Sequence, residues 1–201
     1  MLTAPLYMLR HGETAWNLER RMQGTKDSPL TVRGRAQAEA MGRALKAELA
    51  LTPGPTVFLR SPLGRSRETS LIVGAALGLD PAAWRDDARL AELSYGAWEG
   101  STWAEIEVHT PNAMATWREN PEGFCPPGGE THFELRRRSA AALADIAAAR
   151  TRTVVVSHGV SGAVLRGLNL GLDARAMFVL EKPQDAFFRL TAGTEERILA
   201  A

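Results

Sequence analysis

Apolar positions along the chain follow two rhythms. Leu6 to Leu9, Thr56 to Leu59 and Thr153 to Val156 are short apolar or β-branched runs bounded by turn residues, which predicts buried strands of a largely parallel sheet. Between them the spacing becomes helical. Val32 to Leu49 places Ala38, Met41, Leu45 and Leu49 on one face behind Thr31 as an N-cap, and Leu63 to Leu77 and Glu130 to Ala149 have the same character. Ala186 to Leu190 and Arg197 to Leu199 read as further strands, with an antiparallel pairing open to one of them. Strands alternating with helices predict an α/β fold with helices on both sheet faces. The stretch Pro111 to Gly129, which holds Pro121, Pro126, Pro127, Gly128 and Gly129, interrupts both rhythms. It is expected to be an irregular, lid-like surface excursion over the strand ends, where loops usually carry function.

Length and charge narrow the picture. With 201 residues and 45% hydrophobic content, residues 1–201 are expected to form one domain around one core, and no repeat or linker divides them. Lysine and arginine number 24 against 23 acids, a formal charge of +1, which gives no global field for a nucleic acid backbone or an anionic membrane. Anion recognition must therefore be local. Cys125 is the single cysteine, so an intrachain disulfide and a multi-cysteine zinc site are both ruled out. Met1 to Leu9 has no basic region followed by an apolar stretch, and no window approaches the roughly 18 apolar residues of a membrane span. A cytoplasmic location is the expectation, with oligomeric state left open.

The candidate chemistry gathers at strand ends. The first strand runs into Arg10-His11-Gly12-Glu13-Thr14, the second into Ser61-Pro62-Leu63-Gly64-Arg65, and the third into Ser157-His158-Gly159. In open α/β sheets ligands bind outside the carboxyl ends of the strands, so two histidines and several arginines should converge there. His11 is a candidate nucleophile and Arg10 a phosphate clamp. Arg65, about one turn into a helix, can present a bidentate fork to phosphate oxygens. The helix after His158 should offer backbone N–H groups and the positive end of its dipole to an anion. Between the second and third strands, Leu90 to Gly100 carries two acids, and a single carboxyl can protonate a leaving oxygen and later deprotonate water. Glu92 is the candidate. An imidazole attacks only when neutral, and the neighbouring guanidinium groups disfavour a second positive charge on its ring. A hydrogen bond to a backbone carbonyl would fix the tautomer and leave the other nitrogen free to reach phosphorus.

These blocks, together with Trp16-Asn17, Gln23-Gly24, Asp27-Ser28-Pro29-Leu30-Thr31, Glu92 with Tyr95-Gly96, Trp98-Glu99-Gly100 and Pro127-Gly128-Gly129-Glu130, resemble the histidine phosphatase superfamily, also called the phosphoglycerate mutase-like family, in its order over most of the chain. The resemblance implies a three-layer α/β/α sandwich with a mostly parallel sheet. It also implies a phosphate site of Arg10, His11, Arg65 and His158, with Gly159 beside them, Asn17 at a phosphate-pocket position, Gln23 lining nearby and Glu92 as proton donor. Arg60 stands where a serine is more usual and is read as lining the substrate.

Other signals are weaker. His109 and His132 lack zinc-ligand spacing, and no nucleotide fingerprint or phosphate-binding loop is present, so neither metal nor cofactor is expected. Trp98, Trp103 and Trp117 suit either substrate stacking or packing under a lid. The leading expectation is a metal-independent phosphatase acting on a small phosphorylated metabolite through a phosphohistidine on His11. In the second, a phosphoglycerate mutase, 2,3-bisphosphoglycerate primes His11; the resemblance implies longer chains for the mutases, which favours hydrolysis here. A non-catalytic binding protein on the same scaffold ranks last, because no core residue is missing.

Overall fold

A computed structural model describes residues 1–200. The strands are β1 (Leu6–Arg10), β2 (Thr56–Arg60), β3 (Trp84–Asp86), β4 (Arg152–Ser157), β5 (Ala186–Thr191) and β6 (Thr194–Leu199). The helices are α1 (Ala15–Leu18), α2 (Val32–Leu51), α3 (Gly64–Leu77), α4 (Trp103–His109), α5 (Ala113–Glu119), α6 (His132–Ala149), α7 (Gly159–Leu170) and α8 (Ala174–Val179). One sheet has the order β3-β2-β4-β1-β5-β6. β1 to β4 run parallel, β5 pairs antiparallel with β1, and β6 pairs antiparallel with β5.

The period of two along each strand sorts the core into layers. Tyr7, Leu9, Val154, Val156 and Phe187 pack with Met41 and Leu45 of α2 and Val73 of α3. Leu6, Met8, Val155 and Phe188 turn the other way, onto Ala142 and Ile146 of α6 and Leu165 of α7. Helices thus cover both faces and the fold is the expected three-layer sandwich. Thr31 caps α2 by accepting from the Gly34 amide.

A third apolar cluster lies beyond the strand ends, where Leu93, Tyr95, Trp98, Ile106, Leu135 and Met177 pack with Trp103, Trp117 and Phe124. The excursion at 111–129 belongs to it. Contrary to the expectation of irregular chain, that stretch contains α5, and Trp117 of α5 stacks on Phe124 with centroids 5.9 Å apart. Aromatic packing holds this helix where local propensity does not announce it.

His132 opens α6 behind the Thr131 and Glu134 capping box. Its ring is buried, stacks on Phe178 at 4.1 Å between centroids, and has no hydrogen-bond partner on either nitrogen. Burial lowers its pKa from 6.5 to about 4. A proton taken up by the unfolded chain but refused by the fold opposes folding, so this contribution is intact above pH 6.5 and is lost as pH falls from 6.5 towards 4. Between pH 7.5 and 5 the loss amounts to about 2 kcal/mol. His132→Phe should shrink the fall in urea-unfolding free energy over that interval by a similar amount. An unchanged fall in the variant would contradict this account.

Candidate active site

β1 and β4 are neighbours in the sheet, and their carboxyl ends deliver His11 and His158 side by side, with ring centroids 5.2 Å apart. The backbone continues the sheet into the site: the His11 amide donates to Ser157 O at 3.0 Å and the Ser61 amide to Val156 O at 2.9 Å. Gly12 follows because the chain then passes the start of α2 at backbone contact. A Cβ on Gly12 would lie 2.1 Å from the Gly34 carbonyl oxygen, so any side chain there would displace the carbonyl that orients His11.

That carbonyl, Gly12 O, lies 2.8 Å from His11 Nδ1. A carbonyl only accepts, so the proton sits on Nδ1 and the lone pair on Nε2. The opposite nitrogen agrees, since Arg65 Nε donates to Nε2 at 3.2 Å. His11 is held neutral: burial, then the charges of Arg65 and Arg10, push its pKa well below 6.5, against the raising effect of the Gly12 bond. Burial and the same cations do so for His158.

The rest of Arg65 is a strut. Nη1 donates to Lys26 O at 2.7 Å and to Asp27 Oδ1 at 2.9 Å, and Nη2 donates to Gly24 O at 2.7 Å. The loop at 23–27 is fastened from its other side by Glu99, whose buried carboxylate accepts from the Thr25 amide at 2.8 Å and the Tyr95 amide at 3.1 Å. Arg10 Nη1 donates to Lys182 O, while Arg10 Nε and His158 Nδ1 are buried with no partner. Arg10 Nε is thus a buried donor left over in a cationic pocket, and an anion supplies the acceptor it calls for. His158 Nε2 is settled by Ser61 Oγ at 2.7 Å.

Glu92 corrects one expectation. The start of α7 does meet an anion, but that anion is the Glu92 carboxylate, which accepts from Val160 N at 3.0 Å and Ser161 N at 2.9 Å. Those amides are therefore not the phosphate cradle. The carboxylate also accepts from its neighbour's amide, Leu93 N, at 3.0 Å. Arg138 of α6 fixes this segment by donating to Arg89 O and Ala91 O, both at 2.7 Å, and to Glu92 O at 3.0 Å.

Arg10, His11, Asn17, Gln23, Arg65, Glu92 and Gly159 line one pocket of about 160 Å³. Asn17 completes the capping box that Thr14 opens on α1, its Oδ1 accepting from the Thr14 amide at 3.1 Å and from Gln184 Nε2 at 3.1 Å. Gln23 Nε2 donates to Thr14 Oγ1 at 2.7 Å. His158 packs against His11 without itself lining the pocket. Arg60 is a correction: it does not line the pocket. It lies opposite Asp86 in the β2–β3 register, donates to Asp86 Oδ1 at 2.7 Å and to Ser70 Oγ at 3.1 Å, and so points its charge into an ion pair at the sheet edge.

The sequence assigned no site role to Tyr95, Arg21 or Lys182, which share the pocket lining. Arg21 is matched by Glu19 and Glu105, whereas Lys182 Nζ donates only to the Phe178 and Leu180 carbonyls at 2.8 and 2.9 Å. Among the described residues, no three His, Cys, Asp or Glu side chains come together as a metal site, and no helix is long and apolar enough to cross a membrane.

The chain is similar to known proteins of one family. Residues 6–199 match the family model described as histidine phosphatase superfamily (branch 1). A probable phosphoglycerate mutase GpmB of Klebsiella pneumoniae is 40% identical over 178 residues, covering 85% of this chain and 77% of its own length. The structure of a mycobacterial glucosyl-3-phosphoglycerate phosphatase with VO3 superposes with a TM-score of 0.80 at 29% identity over 98% of both chains. The α-ribazole phosphatase of Shigella flexneri shares the fold, with a TM-score of 0.82 at 22% identity over 98% of this chain and 96% of its own. With the match running through nearly the whole sequence and the two buried histidines set among arginines, the chain belongs to the histidine phosphatase superfamily.

Proposed function

We propose that the chain is a phosphatase that hydrolyses phosphomonoesters of small metabolites through a phosphohistidine on His11, with side chains rather than a metal or cofactor managing the charge. The observation that carries this reading is the pinned neutral tautomer of His11, with its Nε2 lone pair held among guanidinium groups. In the reaction Arg65 Nε–H turns from Nε2 to a phosphate oxygen, and Nε2 attacks phosphorus in line with the ester oxygen. The P–O bond breaks as Glu92 protonates the leaving oxygen. Water then attacks the phosphohistidine, Glu92 takes its proton, and the N–P bond breaks to release inorganic phosphate. Arg10, Arg65 and His158 Nδ1–H bear the negative charge on the equatorial oxygens, aided by Asn17 and the Gly159 backbone. Ser61 O–H donating to His158 Nε2 keeps that proton on Nδ1. Gln23 lines the way to the leaving group.

The names of the solved neighbours favour hydrolysis, whereas the probable mutase name of the 40% identical relatives favours a second reading, phosphoryl exchange primed by 2,3-bisphosphoglycerate. One experiment separates them. With EDTA present, the enzyme should release phosphate from p-nitrophenyl phosphate and from a panel of metabolite phosphomonoesters. It should not isomerise 3-phosphoglycerate when 2,3-bisphosphoglycerate is added. Dominant isomerisation would replace the first reading with the second.

A further inference from the structure

The segment that carries Glu92 follows β3 with only a short 3-10 turn, Ala88–Leu90, to order it, so its carbonyls need partners from elsewhere in the chain. Four consecutive ones find them in side chains. Leu90 O accepts from Ser157 Oγ at 2.8 Å, while Arg89 O, Ala91 O and Glu92 O accept from the one guanidinium of Arg138 at 2.7, 2.7 and 3.0 Å. The rest of that guanidinium forms a bidentate pair with Glu130, Nε to Oε1 at 2.7 Å and Nη2 to Oε2 at 2.8 Å. All five N–H donors of Arg138 are thereby engaged, in a pair that is largely buried. Glu130 closes on the other side of the acid, where its amide donates to Ser94 O at 2.9 Å. Arg138 itself lies outside the phosphate pocket.

We infer that Arg138, locked by Glu130, is the positioning residue for the acid: it fixes the main chain beneath Glu92 so that the free lone-pair site on Oε2 meets the ester oxygen. The inference rests on the proton-donor role proposed for Glu92 and names what keeps that proton in line. The carboxylate's own bonds are not enough. Val160 N and Ser161 N hold its two oxygens against the start of α7, and two contact points leave a rotation about the line through them. The third bond, from Leu93 N, belongs to the acid's own segment and moves with it. Anchoring the main chain at Arg89, Ala91 and Glu92 removes that rotation. A lysine could not do the same, because its three donors on a point charge cannot span three carbonyls and a carboxylate at once.

The test sets Arg138→Ala and Arg138→Lys beside Glu92→Gln and measures log kcat against leaving-group pKa over a series of alkyl and aryl phosphates. A misplacement of about 1 Å at the reacting atoms costs on the order of 10²-fold, so Arg138→Ala should lower kcat for alkyl phosphates by about that factor. For p-nitrophenyl phosphate, whose leaving group needs no proton, the loss should be only a few-fold, and the slope should steepen towards that of Glu92→Gln. Arg138→Lys should fall between the wild type and the alanine variant. Inhibition by inorganic phosphate should stay within a few-fold in both, because Arg138 is not part of the pocket lining. An equal loss for every ester, or a wild-type slope in Arg138→Ala while Glu92→Gln is steep, would overturn the positioning role. Where Arg138→Ala does not fold, the same two outcomes in Arg138→Lys would overturn it. A shallow slope in Glu92→Gln itself would overturn the proton-donor reading, and the inference with it.

Discussion

His11→Ala is expected to lower kcat/KM for any phosphomonoester on the order of 10⁴-fold or more and to abolish acid-labile labelling of the protein by a phosphoryl donor. The size follows from what the substitution removes. Nε2 is the one neutral lone pair held among Arg10, Arg65 and His158, and alanine leaves no atom to form the N–P bond. Arg65 loses one acceptor but keeps Gly24 O, Lys26 O and Asp27 Oδ1, so the clamp should stay in place. Competitive inhibition by inorganic phosphate should therefore survive within a few-fold, which separates loss of the nucleophile from loss of the fold. Retained labelling or near-wild-type turnover would remove His11 from the centre of the mechanism.

The pH dependence should follow the same electrostatics. With its pKa well below 6.5, the free enzyme's His11 stays unprotonated through mildly acidic pH, so formation of the phosphoenzyme should not fall as pH drops through 6.5. An ordinary exposed imidazole would already have lost half its nucleophile there.

Those parts of the molecule that speak through local pattern were readable before any coordinates. β1 and β4 are buried on both faces and appear as unbroken apolar runs, and α2 shows its buried stripe at Ala38, Met41 and Leu45 behind Thr31. β3 was missed because only Trp84 of its three residues is buried, which leaves no pattern to see. α5 and α8 span 7 and 6 residues and are held by tertiary packing. In the site, the residues directly after β1 and β4 were visible because sheet topology alone brings them together. Glu99 and Arg138 were not, since each acts by hydrogen bonds to backbone far away in sequence, and Lys182 was not, since only the tertiary fold brings its segment to the pocket; nothing local distinguishes the three from surface charges. Arg60 failed for the converse reason. Its place at a strand end suggested the site, but Asp86 across the strand register takes its guanidinium at 2.7 Å instead.

Glu92→Gln should lower kcat by roughly 10² to 10⁴ for alkyl phosphates, and much less for p-nitrophenyl phosphate, whose leaving group needs no proton. The carboxylate has about four lone-pair sites. Oε1 accepts from Leu93 N and Ser161 N, and Oε2 accepts from Val160 N, so the remaining site, on Oε2, is where a proton can be carried to the ester oxygen. The amide cannot repeat this arrangement. If its oxygen keeps the Leu93 and Ser161 bonds, its NH₂ group meets the Val160 N–H, donor against donor, at a cost of about 1 to 3 kcal/mol in stability. The diagnostic is therefore a slope rather than a single rate: log kcat plotted against leaving-group pKa should be steep in the variant and shallow in the wild type. Phosphate affinity should be retained within a few-fold, because Arg10 and Arg65, which hold the anion, are untouched. Parallel slopes would take the proton-transfer role from Glu92 and leave it only as the anion that caps α7.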